Sequence, residues 1–189
     1  MKTHKEEIEE MVDAVIKLTW NYTVFRALFE KNEVDCEARQ AHPEFFLTMH
    51  DTLFCGFCVM TELLFEKKVG RTSLFGLISK AKPDLANKLT ETIRAKASFI
   101  EKIETIRYQV CTHRIQAKSP KDVFAEARPR VCMMTEVANL ARFVILELIG
   151  EADGDRKAEL ERQQLSERTL WCVANDAGQV VRAFRSKDC

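Results

Sequence analysis

The sequence predicts an all-α fold, an up-and-down bundle of long helices with a C-terminal appendage, and three observations carry that prediction. Apolar residues return at steps of three, four and seven along most of the chain, the period of a helix buried on one side. Only four prolines and six glycines interrupt 189 residues, too few for a turn-rich β architecture. Hydrophobic residues make up 46% and charged residues 31%, enough for both a core and a solvated surface. The length suits one domain, residues 1–152, followed by a smaller segment, residues 153–189.

Thr3 can cap a first helix whose opening turns hold Glu6, Glu7, Glu9 and Glu10, acids placed well against the helix dipole. Ile8, Met11, Val12, Val15, Ile16, Trp20, Val24, Leu28 and Phe29 then follow a helical period to about Lys31. Asn32 to Gln40 is polar and reads as loop or fraying helix. Pro43 suits the first turn of the second helix. Phe46, Met49, Leu53, Phe57, Met60 and Leu64 make its inward face, widened by Phe45, Phe54, Val59 and Leu63. So wide an apolar girth implies burial on more than one side. Lys67-Lys68-Val69-Gly70-Arg71 ends it with basic residues and a glycine.

Ser73 caps a short helix to about Lys80, and Pro83 starts a long one. Leu85, Leu89, Ile93, Ile100, Ile103, Ile106 and Val110 form one stripe, so the expected helix runs unbroken to Cys111, about 43 Å at 1.5 Å per residue. Ile115 to Lys118 is the expected break. Ser119-Pro120-Lys121-Asp122 reads as the start of the last core helix, with Pro129 kinking or restarting it. Val131, Met134, Ala138, Ala141, Ile145 and Leu148 are its core-facing row. Asp153-Gly154-Asp155 marks the domain boundary, and Arg156 to Arg168 reads as a charged helix. Beyond it, Thr169 to Phe184 fits either a hairpin about Asn175-Asp176-Ala177-Gly178 or a further helix.

The chain carries 29 basic and 29 acidic residues, so no global field attracts nucleic acid and any RNA contact needs a local patch. Seven cysteines, an odd number, behind a charged N-terminus without an apolar h-region suggest free thiols and a reducing cytoplasm. The greasy runs, Leu53 to Phe65 (interrupted by Thr61 and Glu62) and Phe143 to Ile149, fall short of the ~20 residues that span a bilayer. No membrane association is expected. Cys55-Gly56-Phe57-Cys58 matches a C-x-x-C pattern but lies inside a greasy helix without a second pair, and buried thiols are the better reading. His50 and Asp51 read as the end of a helix face. There is no phosphate-cradling glycine loop, no G-x-S-x-G and no H-E-x-x-H, and neither a metal nor an organic cofactor is expected.

Chemistry concentrates in Arg107-Tyr108-Gln109-Val110-Cys111-Thr112-His113-Arg114. Arg107 projects into the apolar stripe rather than opposite it, and a guanidinium there must find an anion or water. His113 lies six positions on, about 120° round an ideal helix, so the two share a site only if the helix ends nearby or a second chain contributes. With Arg114 and Lys118 beside them they suggest a phosphate site. The plainer alternative is an Arg paired with a core carboxylate and a solvated His. From Arg107 to Arg130 there are six Arg/Lys against two acids, a surplus that fits an RNA backbone or a solvated loop equally well.

Arg107-x5-His113 near the end of a long helix resembles the R-x(4–6)-H signature of the HEPN superfamily of helical bundles, many of them RNases. Trp20 in a first helix, His42-Pro43-Glu44-Phe45-Phe46 opening a second, Thr72-Ser73-Leu74-Phe75-Gly76-Leu77, Pro83-Asp84-Leu85 and Ser119-Pro120-Lys121-Asp122-Val123-Phe124 follow in an order that resembles the abortive-infection type U branch, over roughly residues 8–150. Tyr108 stands where active HEPN enzymes usually carry a small polar residue. The resemblance implies a toxin of phage defence that cleaves RNA without metal. The ribose 2′-hydroxyl attacks the neighbouring phosphate, His113 moves the proton and Arg107 binds the phosphorane oxygens. Arg114 and Lys118 would assist at the phosphate, and Tyr108 would lend its hydroxyl or simply pack. The implied partners are RNA, a second copy of the chain forming a homodimer, and an antitoxin protein. A non-catalytic HEPN-like module that binds RNA or a nucleotide, or scaffolds a defence complex, is the alternative.

Overall fold

Thr3 opens the first helix, α1 (His4–Phe29), as its position predicts. Its hydroxyl accepts from the Glu6 backbone N–H at 3.3 Å, and the Glu6 carboxylate accepts from the Thr3 N–H at 2.7 Å. This reciprocal capping box satisfies donors that a helix start leaves open, and the bonds from Thr3 hold the Glu6 carboxyl below its ordinary value. The structure, a computed structural model, describes residues 2–29, 39–67, 72–112, 122, 131–152 and 154.

The buried row of α1 is Ile8, Met11, Val12, Val15, Leu18, Tyr22, Phe25 and Leu28. Beyond Val15 this differs from the expected row through Ile16, Trp20 and Val24, and Trp20 is 46% exposed. The reason is geometric. A step of four residues turns about 400°, so a strict i+4 row slips some 40° per step and leaves the main core by Trp20, and Leu28 further along is buried instead with Phe46 in a separate cluster.

The second helix, α2 (Pro43–Phe65), starts with Pro43 in its first turn. It runs antiparallel to α1: Phe29 meets Phe46, Phe25 meets Phe54, and Asn21 lies against Gly56. Phe46, Phe54, Phe57, Cys58, Leu64 and Phe65 are buried, whereas Leu63, expected to widen the buried face, is exposed. Thr61 is also buried, its hydroxyl donating to the Phe57 carbonyl at 2.9 Å. A short helix, α3 (Leu74–Ile78), follows, its Ser73 cap accepting from the Gly76 N–H at 3.2 Å.

The long helix expected from Pro83 to Cys111 is divided. It comprises α4 (Pro83–Arg94), a turn at Ala95-Lys96, α5 (Ala97–Ile106) and a π-helical segment, Arg107–Thr112. At the turn the Lys96 N–H bonds to Ile93, three residues back, and Lys96 leaves the helical region with φ −112° and ψ 8°. The turn lets α4 pack on α3 while α5 packs on α2. The apolar stripe continues through it, with Leu89, Ile93, Ile100, Ile103 and Ile106 all buried.

The last described helix, α6 (Val131–Ala152), buries Met134, Ala138, Ala141, Ile145 and Leu148, the row expected of it. It runs antiparallel to α4, as three contacts show. The Lys82 N–H donates to Glu151 at 2.9 Å, Lys88 pairs with Glu147 at 3.0 Å, and Lys96 pairs with Glu136 at 2.7 Å. Tyr22 of α1 and Thr135 of α6 share a 2.7 Å hydroxyl–hydroxyl bond. Exposed ion pairs of this kind contribute about 0–1 kcal/mol each, against roughly 1.5–3 kcal/mol for a fully buried large apolar side chain. The pairs therefore set register, and the shared core holds the helices together.

Among the described residues every regular element is helical, and no helix is long and apolar enough to cross a membrane. The helix start expected at Ser119, apart from Asp122, and the appendage beyond Gly154 lie outside the described residues.

Candidate functional site

Ile106 ends α5 fully buried, and Arg107 follows as the first residue of the π-helical segment. A π-turn interrupts the regular ladder of i→i−4 bonds, and such turns recur at functional sites. The Arg107 side chain reaches across to α2, where its Nε forms an ion pair with Oε2 of Glu62. The two side chains are 23% and 29% exposed, so the pair is neither sealed in the core nor free in water. Tyr108, the next residue, is 50% exposed.

Two open grooves meet at this pair, with volumes of about 1090 and 520 Å³, and both are lined by Glu62, Glu66, Lys67, Phe75 and Arg107. The larger extends toward the start of α1 and the end of α3, where Lys2, Lys80, Glu7 and Glu10 join it. Acids and bases balance there. The smaller has Phe65, Ile93 and Ile100 in its floor and Tyr108 in its wall. Glu62, Glu66, Glu101 and Glu104 face only Lys67 and Arg107 in it, so acids outnumber bases.

That imbalance falls on Glu104, one helical turn before Arg107. Burial pushes its carboxyl above the ordinary value, the facing charge of Glu62 pushes it further, and Lys67 opposes both. Glu62 therefore pairs with Arg107 on one side and acts on the Glu104 carboxyl on another.

Of the residues the sequence singles out, Arg107 and Tyr108 line the smaller groove together. His113, Arg114 and Lys118 lie outside the described residues. Glu62 and Glu104 were not anticipated. The signal for Glu62 was present, since it interrupts the greasy run from Leu53 to Phe65. Cys58 is buried and Cys55 half-buried, and among the described residues no group of three or more His, Cys, Asp and Glu side chains is placed to hold a metal ion. The His50 ring stacks on Phe54 and meets Phe25 and Phe29, with Nδ1 3.1 Å from Oδ1 of Asp51.

Fold and site together define an all-α chain with a partly open Arg–Glu pair where one helix changes its winding. Comparison with known protein families, with curated protein sequences and with solved structures finds no match to this chain.

Proposed function

We propose that the chain is a HEPN-type, metal-independent endoribonuclease of the abortive-infection kind, acting as a toxin in phage defence. Arg107 binds the scissile phosphate and His113 moves the proton. The observation that carries this reading is the position of Arg107. Its guanidinium stands at the end of a core helix, at the onset of an irregular turn, and lines open grooves rather than closing inside the bundle. A planar guanidinium at such an opening suits a phosphorane, whose equatorial oxygens gain charge as the 2′-hydroxyl attacks. His113 takes the hydroxyl proton, and a proton must then reach the departing 5′-oxygen. A second copy of the chain would complete the cleft across a two-fold axis, and an antitoxin protein would restrain it.

One observation favours a second reading. Arg107 is already paired with Glu62, and the smaller groove carries more acid than base. That arrangement suits a non-catalytic HEPN-like module, in which Arg107 ties α5 to α2 and RNA, a nucleotide or a defence complex is bound without being cleaved.

The deciding experiment incubates the purified full chain with structured and unstructured RNA in EDTA, beside Arg107→Ala and His113→Ala. The nuclease predicts cleavage that falls about 10²-fold or more in each variant, together with toxicity on expression that either substitution relieves. Cleavage that persists in both variants removes these two residues from the mechanism. No cleavage, with RNA binding weakened in both, supports the module.

A further inference from the structure

We infer that Glu62 is an internal competitor for the Arg107 guanidinium, so that an RNA phosphate engages Arg107 by displacing the Glu62 carboxylate. The inference rests on the reading above only for the identity of the anion.

Three features of the pair carry it. First, it is within reach: both side chains are partly exposed and both line each groove, so an anion entering either one comes up against Arg107 although its Nε is covered. Second, the contact to Glu62 runs through the guanidinium Nε, whereas a phosphate can take two parallel charge-assisted bonds from the guanidinium fork. Exchange of one anion for the other is therefore open to a phosphate and closed to weaker anions. Third, Glu62 has a carboxylate neighbour in Glu104, on the same helix as Ile100 and Ile103 and directly before the π-helical segment. The positive charge of Arg107 holds Glu62 in a groove where Glu66, Glu101 and Glu104 also stand, and Lys67 is the other base there. A carboxylate so placed lowers the affinity of Arg107 for any second anion by the strength of its own claim on it.

The consequence is selectivity. A single monovalent anion does not displace Glu62, while a phosphodiester chain that touches further bases does. Glu62 is thus a positioning and specificity residue acting through Arg107, with no contact to the reacting atoms required.

The test measures binding apart from cleavage. A short fluorescein-labelled oligonucleotide with 2′-O-methyl riboses binds but has no free 2′-hydroxyl to attack. Its affinity is read by anisotropy for the full chain, for Glu62→Gln, for Arg107→Ala and for the double variant. Competition predicts that Glu62→Gln binds roughly three- to tenfold tighter. It also predicts that the gain vanishes when Arg107 is Ala. Binding that is unchanged or weaker in a folded Glu62→Gln overturns the inference, as does a gain that survives in the double variant. Should Glu62→Gln fail to fold, Glu62→Asp, shorter by one methylene, must move affinity the same way by a smaller factor. Cleavage of ordinary RNA in EDTA is followed in parallel. Tighter, Arg107-dependent binding without cleavage by any variant keeps Glu62 as competitor and removes the nuclease. Cleavage with unmoved affinity does the reverse.

Discussion

Glu104, among the described residues, carries a charge that the fold disfavours, and the sign of that penalty can be worked out. Its folded-state carboxyl lies above the ordinary value because burial and Glu62 both disfavour the anion. Such a group favours the folded state while protonated, below its unfolded value of 4.5, and that contribution is lost as pH rises through the raised value. At neutral pH the native protein therefore carries a half-buried charge that glutamine would not. Glu104→Gln is expected to melt higher than the parent chain at pH 7, with the difference closing as pH falls below the ordinary carboxylate range; calorimetric melts across pH check this. Arg107 was legible from sequence because its place on an apolar stripe demanded a partner. Which partner was not legible: Glu62 is distant in sequence, and only the packing of α5 on α2 brings the two together.

At the scale of elements, apolar period located the helices well and their interruptions poorly. Ile93 and Ile100 are seven residues apart, two helical turns, so the stripe passes through Ala95-Lys96 without a phase change even though the backbone turns there. A pattern of side chains cannot report a break that preserves their phase. The π-helical segment was hidden for a related reason, since only hydrogen bonding distinguishes it over so few residues. Caps were more legible: Thr3, Pro43, Ser73 and Pro83 all stand at helix starts. The close approach of α1 and α2 gives a separate prediction. A Cβ at Gly56 would lie 3.2 Å from the Asn21 amide, which belongs to a side-chain end able to give by a few tenths of an ångström. Gly56→Ala should therefore be neutral or stabilising, by up to about 1 kcal/mol from helix propensity. Gly56→Leu should separate the helices and cost about 1–3 kcal/mol. Urea melts of the two variants distinguish the outcomes.

For the whole molecule, charge is balanced in total and uneven in place. With 29 charges of each sign, RNA is not drawn in from a distance. If Arg107, Arg114 and Lys118 supply the phosphate contacts, about three phosphates are neutralised. Single-stranded RNA should then show a slope of roughly −2 in log affinity against log salt. A slope several units steeper in anisotropy titrations would mean that a wider basic surface takes part. Composition and period made the all-α class legible, whereas the grooves depend on how far α2, α3 and α5 stand apart, which no single helix encodes.

The last of the described contacts has a practical side. Glu151, at the end of α6, accepts from the Lys82 N–H, and Lys80, two residues earlier, is in the wall of the larger groove with Arg107. The end of α6 thus lies beside one wall of the larger groove. A dye tethered at Ala152, which is exposed, would begin its reach there and report on what comes and goes without touching the residues that receive it.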